Sequence, residues 1–205
     1  MKKEPEYKIL DDPEVAKVYA ASAAKRNKRI AKIHVDSLSK LGFKKGRILE
    51  AGCGSGDIAI ELTRAFPEAE VIGLDLSEPL LEMAQKSAEE AGLSDRCSFK
   101  KGNLEAMPFE DDSFDIVVTL NTLHVLDNPV AMLDEIERVL APSGILQLSD
   151  IKRSRLLGLI LPILKTAYSE TEAKEILNRS KLRPWEFAQG TYWWGVRTGR
   201  LTDSQ

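Results

Sequence analysis

"LEAGCGSGDIAIEL" (49–62) sets Gly52, Gly54 and Gly56 between two apolar runs, with the acids Glu50 and Asp57 beside them. Glycine adopts positive φ at little cost and lets a ligand lie against bare backbone. A glycine turn that ends a strand and opens a helix usually cradles phosphate, which gains from the positive end of the helix dipole. Phosphate would be repelled by Glu50 and Asp57. The acids therefore point to a ligand that carries positive charge.

The chain on either side of this turn alternates between two periods. "RILEAG" (47–52) reads as a buried strand and "DIAIELTRAF" (57–66) as a helix closed by Pro67. "AEVIGLD" (69–75) is a second strand, followed by the helix "SEPLLEMAQKSAEEAG" (77–92), with Ser77 as N-cap and Gly92 as stop. Strands at 96–102, 114–121 and 145–150 follow, with a helix predicted to start at Pro129 and end before Pro142 and Gly144. Parallel strands need crossover helices, so the alternation over 47–150 predicts an open α/β sheet covered on both faces. Ligands of such sheets sit beyond the carboxyl ends of the strands, where strand order reverses. The loops 52–56, 75–77, 102–104 and 121–124 all follow strands and should converge there.

Outside this core, 13–41 is predicted helical, with Val15, Val18, Ala23, Ile30, Ile33 and Leu38 as its apolar positions and Gly42 as its stop. A helix (170–181) and two strands, "PWEFAQG" and "YWWGVRTG", close the chain. Asp75 ends the second strand, where an acid can accept from both hydroxyls of a ribose and would reject a 2′-phosphate. It could also cap the next helix, a role Ser77 fills as well. A nucleoside joined to a sulfonium-bearing amino acid satisfies both Asp75 and the acids beside the glycines.

At this point the sequence resembles a known family. "ILEAGCGSGDIAIEL", "VIGLDLSEPLLEMAQKSAEEAG" and "FKKGNLEAMPFEDDSFDIVVTLNTLHVLDNPVAMLDEIERVLAPSGILQLSD" are similar, in this order, to the motifs of class I S-adenosylmethionine-dependent methyltransferases. The nearest branch holds the type 11 and ubiquinone/menaquinone C-methyltransferases, and the likeness covers roughly 46–151. It implies a Rossmann-like, mostly parallel seven-stranded sheet of order 3-2-1-4-5-7-6, with strand 7 antiparallel. It also implies S-adenosyl-L-methionine as cofactor. Glu50, Gly52, Cys53, Gly54 and Gly56 would form the methionine and ribose side of its pocket, and Asp75 would take the ribose hydroxyls. Leu76 would pack on the adenine, Asn103 would accept from its amino group, and the Leu104 N–H would donate to its ring. Asn121 would lie near the methionine portion.

Methyl transfer from a sulfonium is an in-line displacement that needs a base only when the acceptor arrives protonated. His124 is the candidate base, or else a residue that fixes the loop after strand four. Tyr19 matches where relatives place an aromatic over the cofactor, or is a packing residue. Cys53 reads as a small filler rather than a nucleophile.

The 205 residues are 43% hydrophobic and 30% charged, with a formal net charge of −3. They suit one domain over 1–205: a helical cap (1–45), a cofactor core (46–151), an apolar segment (152–169) and a C-terminal helix and hairpin (170–205). The balance gives no global case for nucleic-acid binding. The basic run "KRNKRIAK" (25–32) is a solvated helix face or an attractor of phosphate or substrate. Two cysteines and two histidines allow neither a disulfide framework nor a four-ligand zinc site, so no metal is expected. A cytoplasmic protein acting on a small molecule, as a monomer or homodimer, is the expectation. The apolar 156–168 is shorter than the roughly 20 residues a bilayer needs. It reads as a helix on the sheet, a wall for an apolar acceptor such as a quinone-like ring or lipid, or a dimer contact. Two other readings are a non-catalytic cofactor-binding subunit and a nicotinamide-dependent oxidoreductase.

Overall fold

The computed structural model describes residues 10–154 and 167–199. The apolar 156–168 therefore lies almost wholly outside the described residues. In chain order the elements are α1 (Pro13–Lys40), β1 (Lys45–Ala51), α2 (Asp57–Ala65), β2 (Glu68–Asp75), α3 (Glu78–Glu90), β3 (Cys97–Lys101) and β4 (Phe114–Leu120). A 3₁₀ turn (Leu123–Val125), α4 (Pro129–Val139), β5 (Leu140–Ile151), α5 (Glu170–Arg179), β6 (Trp185–Gln189) and β7 (Trp193–Thr198) follow. The seven strands form one sheet in the order β3-β2-β1-β4-β5-β7-β6. β1 pairs in parallel with β2 and β4, and β2 with β3 and β4 with β5 likewise, while β7 runs antiparallel to β5 and β6. Strand order reverses between β1 and β4, which places the glycine turn at the switch point.

Alternation along the strands separates two apolar layers. Leu49 and Val117 face a core completed by Leu133 and Ile136 of α4, Leu177 of α5 and Trp194 of β7. Ile48, Ile116 and Val118 face the other layer, with Leu38 of α1 and Leu62 of α2. Each helix starts where a side chain takes orphan N–H groups. Asp12 accepts from Glu14 and Val15, Ser77 from Leu80, and Asn128 from Ala131, while Ser169 and Glu172 form a capping box. Among the described residues no helix is long and apolar enough to cross a membrane.

Two expectations need correction. The buried stripe of α1 is Ala16, Ala23, Ala31, His34 and Leu38, whereas Val15, Val18 and Ile33 are exposed. Small residues let this helix lie close to α2 and α3, and Val15 and Val18 instead border a cavity; nothing in the structure explains the exposure of Ile33. The helix expected to end before Pro142 closes at Val139, and β5, expected from Ile145, already starts at Leu140. Leu140 pairs with Phe114 before a bulge that restores register at Ile116 and Ile145. Arg183, far along the chain, donates to the carbonyls of Leu140, Ala141 and Pro142 while pairing with Glu137. A distant cation thus satisfies carbonyls just past the end of α4, and Pro142, which has no N–H, cannot extend the helix.

Candidate active site

β1 delivers the chain into a turn in which Gly52, Gly54 and Gly56 have φ of 81°, 50° and 75°. The amides of Gly52 and Cys53 both donate to Leu74 O, which locks the turn to β2. The three glycines serve different ends. A Cβ on Gly52 would collide with the Thr122 side chain, and one on Gly56 would sit 2.7 Å from the Phe99 ring and 2.8 Å from Ala84. A Cβ on Gly54 would meet nothing closer than 4.0 Å and would project into open space. Gly54 thus presents bare backbone to open space, whereas the other two permit close packing.

The acids are held on the protein side of the turn. Glu50, 2% exposed, accepts the Ala59 amide at 2.7 Å and so caps α2, whose own N-cap, Gly56, has no side chain to offer. Burial pushes the Glu50 carboxyl well above the usual range, and the nearby Asp57 and Asp75 push it further. Asp75 accepts from the amides of Gly54 (2.8 Å) and Ser77 (3.0 Å). Burial raises its pKa too, against those bonds. Asp57 accepts from Asn27 of α1 at 3.1 Å and from Ser55 at 3.0 Å. Cys53 packs where a Cβ on Gly73 would reach its sulfur, and burial, then Asp75 and Glu50, raise its thiol well above the ordinary value. A thiol so placed is a filler, not a nucleophile.

Beyond the turn opens a cavity of about 670 Å³. Gly52, Gly54, Asp75, Leu76, Leu104 and Asn121 line it, and so do Tyr19 and His124. Glu50 and Cys53 line a small adjoining cleft with Arg26, Asn27 and Ser55, and the cleft shares Tyr19, Gly52, Gly54 and Asn121 with the cavity. Asn121 has a φ of 52°, a left-handed conformation that asparagine tolerates better than most residues. Two expected contacts are not brought together with the rest. Gly56 belongs to neither wall, for the packing reason above. Asn103 is exposed, outside both walls, and its side-chain oxygen accepts the Glu105 amide at 2.9 Å. Sequence reasoning missed Arg26 and Asn27, whose only signal was the basic run 25–32.

The arrangement combines a bare, acid-backed floor with an apolar wall at the carboxyl edge of the parallel strands. A family model described as "Methyltransferase domain" matches residues 43–193. The chain belongs to this family of S-adenosylmethionine-dependent class I methyltransferases. The phthiotriol/phenolphthiotriol dimycocerosates methyltransferase of Mycobacterium leprae is 33% identical over 148 residues, which cover 72% of this chain and 53% of that one. The demethylmenaquinone methyltransferase of Lactiplantibacillus plantarum is 35% identical over 120 residues, 58% of this chain and 48% of that one. The chain thus spans about half the length of these curated relatives. A solved structure of a SAM-dependent methyltransferase from Aquifex aeolicus superposes with a TM-score of 0.71 at 23% identity, covering 91% of this chain and 97% of that one. The sheet order and the antiparallel β7 are those of the methyltransferase fold.

Proposed function

We propose that this methyltransferase-family chain transfers the methyl group of S-adenosylmethionine to an apolar small molecule. The reading rests on one observation, two unlike walls in a single cavity. Gly52, Gly54 and Asp75 make a bare, acid-backed floor, and Leu10, Val15, Val18, Val125, Leu126 and Ile151 make an aliphatic wall.

The residues present fit the cofactor. Asp75 would accept from the ribose hydroxyls, since each carboxylate oxygen has a second lone pair beyond its bond to Gly54 or Ser77. Gly54 would let the nucleoside lie on the backbone, with Leu76 and Leu104 flanking the adenine. The methionine portion would follow Gly52, Cys53 and Asn121 to the cleft, where Arg26 offers a cation to its carboxylate and Glu50 offsets its positive charge. When bound, this cofactor supplies a methyl carbon activated by a positive sulfur that leaves as a neutral thioether. The protein aligns the two partners, and Tyr19, shared by both walls, would cover their junction. Relatives named for phthiotriol and demethylmenaquinone substrates support an apolar acceptor.

Incubation with methyl-labelled S-adenosylmethionine and either a lipid extract or a polar metabolite extract tests the reading. Label should enter the organic phase. Label confined to polar products would refute the apolar acceptor, and cofactor binding with no label transferred would refute catalysis.

A further inference from the structure

The exposed large apolar side chains of the described residues concentrate on one helix. Val15, Val18, Tyr19 and Ile33 of α1 are exposed, Val18 at 70% and Ile33 at 62%, and only Tyr192 and Trp193 join them from elsewhere. The same helix gathers positive charge. It carries seven lysines and arginines against two acids, Glu14 and Asp36, in a chain whose formal net charge is −3. From Lys17 to Lys32 there are six cations and no acid, and all six are exposed. Lys32 pairs with Asp36 at 3.0 Å. Among the described residues, Lys17, Lys25, Lys28 and Arg29 pair with no acid.

Helical spacing sets the two kinds of group side by side. Val15, Tyr19, Ser22, Arg26, Arg29 and Ile33 follow one another at steps of four and three and so line one flank of α1. Val18, Lys25 and Lys32, seven apart, form the adjoining row. Both rows lie off the buried stripe that runs from Ala16 to Leu38. Val15 and Val18 are at once exposed and part of the cavity wall, so this surface runs to the rim of the cavity.

A nucleic acid would meet the cations but offers nothing to Val18 or Ile33. An apolar protein face would bury the aliphatic groups and leave the cations unmatched. A bilayer containing anionic lipid satisfies both, because lysine and arginine heads reach lipid phosphates while aliphatic tips enter the acyl boundary. We propose that α1 docks this protein on an anionic lipid surface, with the rim of the cavity against the bilayer. The rest of the chain carries the excess of acids, so the same surface repels it and fixes the orientation. Packing within the chain leaves Ile33 unexplained, and the acyl boundary accounts for it. The docking stands on α1 alone; that the bilayer delivers an apolar acceptor through the rim rests on the function proposed above.

Flotation of the full chain with vesicles tests the docking, using phosphatidylcholine alone or equal parts phosphatidylcholine and phosphatidylglycerol. The protein should float with the mixed vesicles and stay behind with the neutral ones. Salt at about 1 M should release it, since screening then acts within about 3 Å. The triple variant Lys25→Gln, Lys28→Gln, Arg29→Gln lies outside the cavity and the cleft. It should weaken binding about a hundredfold, or roughly fivefold per cation. Ile33→Ser keeps every charge and should weaken binding about tenfold. Neither variant should change the melting temperature or the affinity for S-adenosylhomocysteine. No flotation, equal flotation with neutral vesicles, or binding undiminished in either variant would overturn the proposal. So would a DNA duplex that displaces the mixed vesicles at equal phosphate concentration. Failure of the unaltered protein to bind S-adenosylhomocysteine would instead count against the proposed function and leave the docking standing.

Discussion

Glu50 of β1 caps α2 from outside the helix, its carboxylate accepting the Ala59 amide at 2.7 Å across the glycine turn. One acid thereby fastens the turn and leaves a negative charge behind the ligand floor. Glu50→Gln keeps the acceptor and removes the charge. It should leave the melting temperature of the ligand-free protein unchanged or higher, because a buried charge has been removed. Affinity for S-adenosylmethionine should fall about tenfold, as expected when a charge-assisted contact becomes neutral. Calorimetry and thermal melts check both, and unchanged affinity would deny Glu50 a role toward the cation.

Cofactor binding should also be linked to protons. In the ligand-free protein the Glu50 carboxyl is held well above its ordinary value of 4.5. A raised carboxyl contributes stability that is present below about pH 4.5 and is lost as pH rises through its value in the folded protein. A cationic ligand favours the ionised form, so binding should release protons and tighten with pH across that window. Titrations in two buffers of different ionisation enthalpy measure the release. Proton uptake on binding would contradict this account.

His34 makes stability depend on pH from the opposite direction. Burial between α1 and β5 lowers its pKa below 6.5, although its contact with Gln147 at 2.8 Å raises it in part. The folded protein therefore binds fewer protons than the unfolded chain just below pH 6.5. Stability from this site is complete above that pH and is lost as pH falls toward the value in the folded protein. Denaturant melts from pH 7.5 to 5 should show a loss that His34→Gln reduces. Identical pH dependence in the variant would exclude His34 as its source.

The glycines should separate by substitution. Gly52→Ala meets both a positive φ and the Thr122 side chain, and should cost about 2–5 kcal/mol of stability. Gly54→Ala carries only the conformational cost of about 1–2 kcal/mol. It should fold yet lose S-adenosylmethionine affinity, because its methyl enters the space meant for the ligand. Melts with calorimetry distinguish the pair; full affinity in folded Gly54→Ala would remove that residue from the floor.

Much of this was legible in sequence because local patterns carried it. Periodicity gave the alternating core, and the pairing of Asp75 with acid-flanked glycines gave the cationic nucleoside. What stayed hidden depended on tertiary partners. Arg183 satisfies the carbonyls of Leu140, Ala141 and Pro142 from more than forty positions away, and Asn27 reaches Asp57 from a helix that composition marked only as basic. The exposed polar side of Asn103 gave no sign that its oxygen serves Glu105. His124 was readable as a candidate base or a loop fastener, but its Nδ1 partner Asp150, from another strand, was not.

The most direct test is a calorimetric titration of the intact protein with S-adenosylhomocysteine and, separately, with NAD. Saturable one-to-one binding of S-adenosylhomocysteine and no heat with NAD is the predicted result. Preferential binding of NAD would contradict the account, because the acids around the glycine turn would then be facing a pyrophosphate.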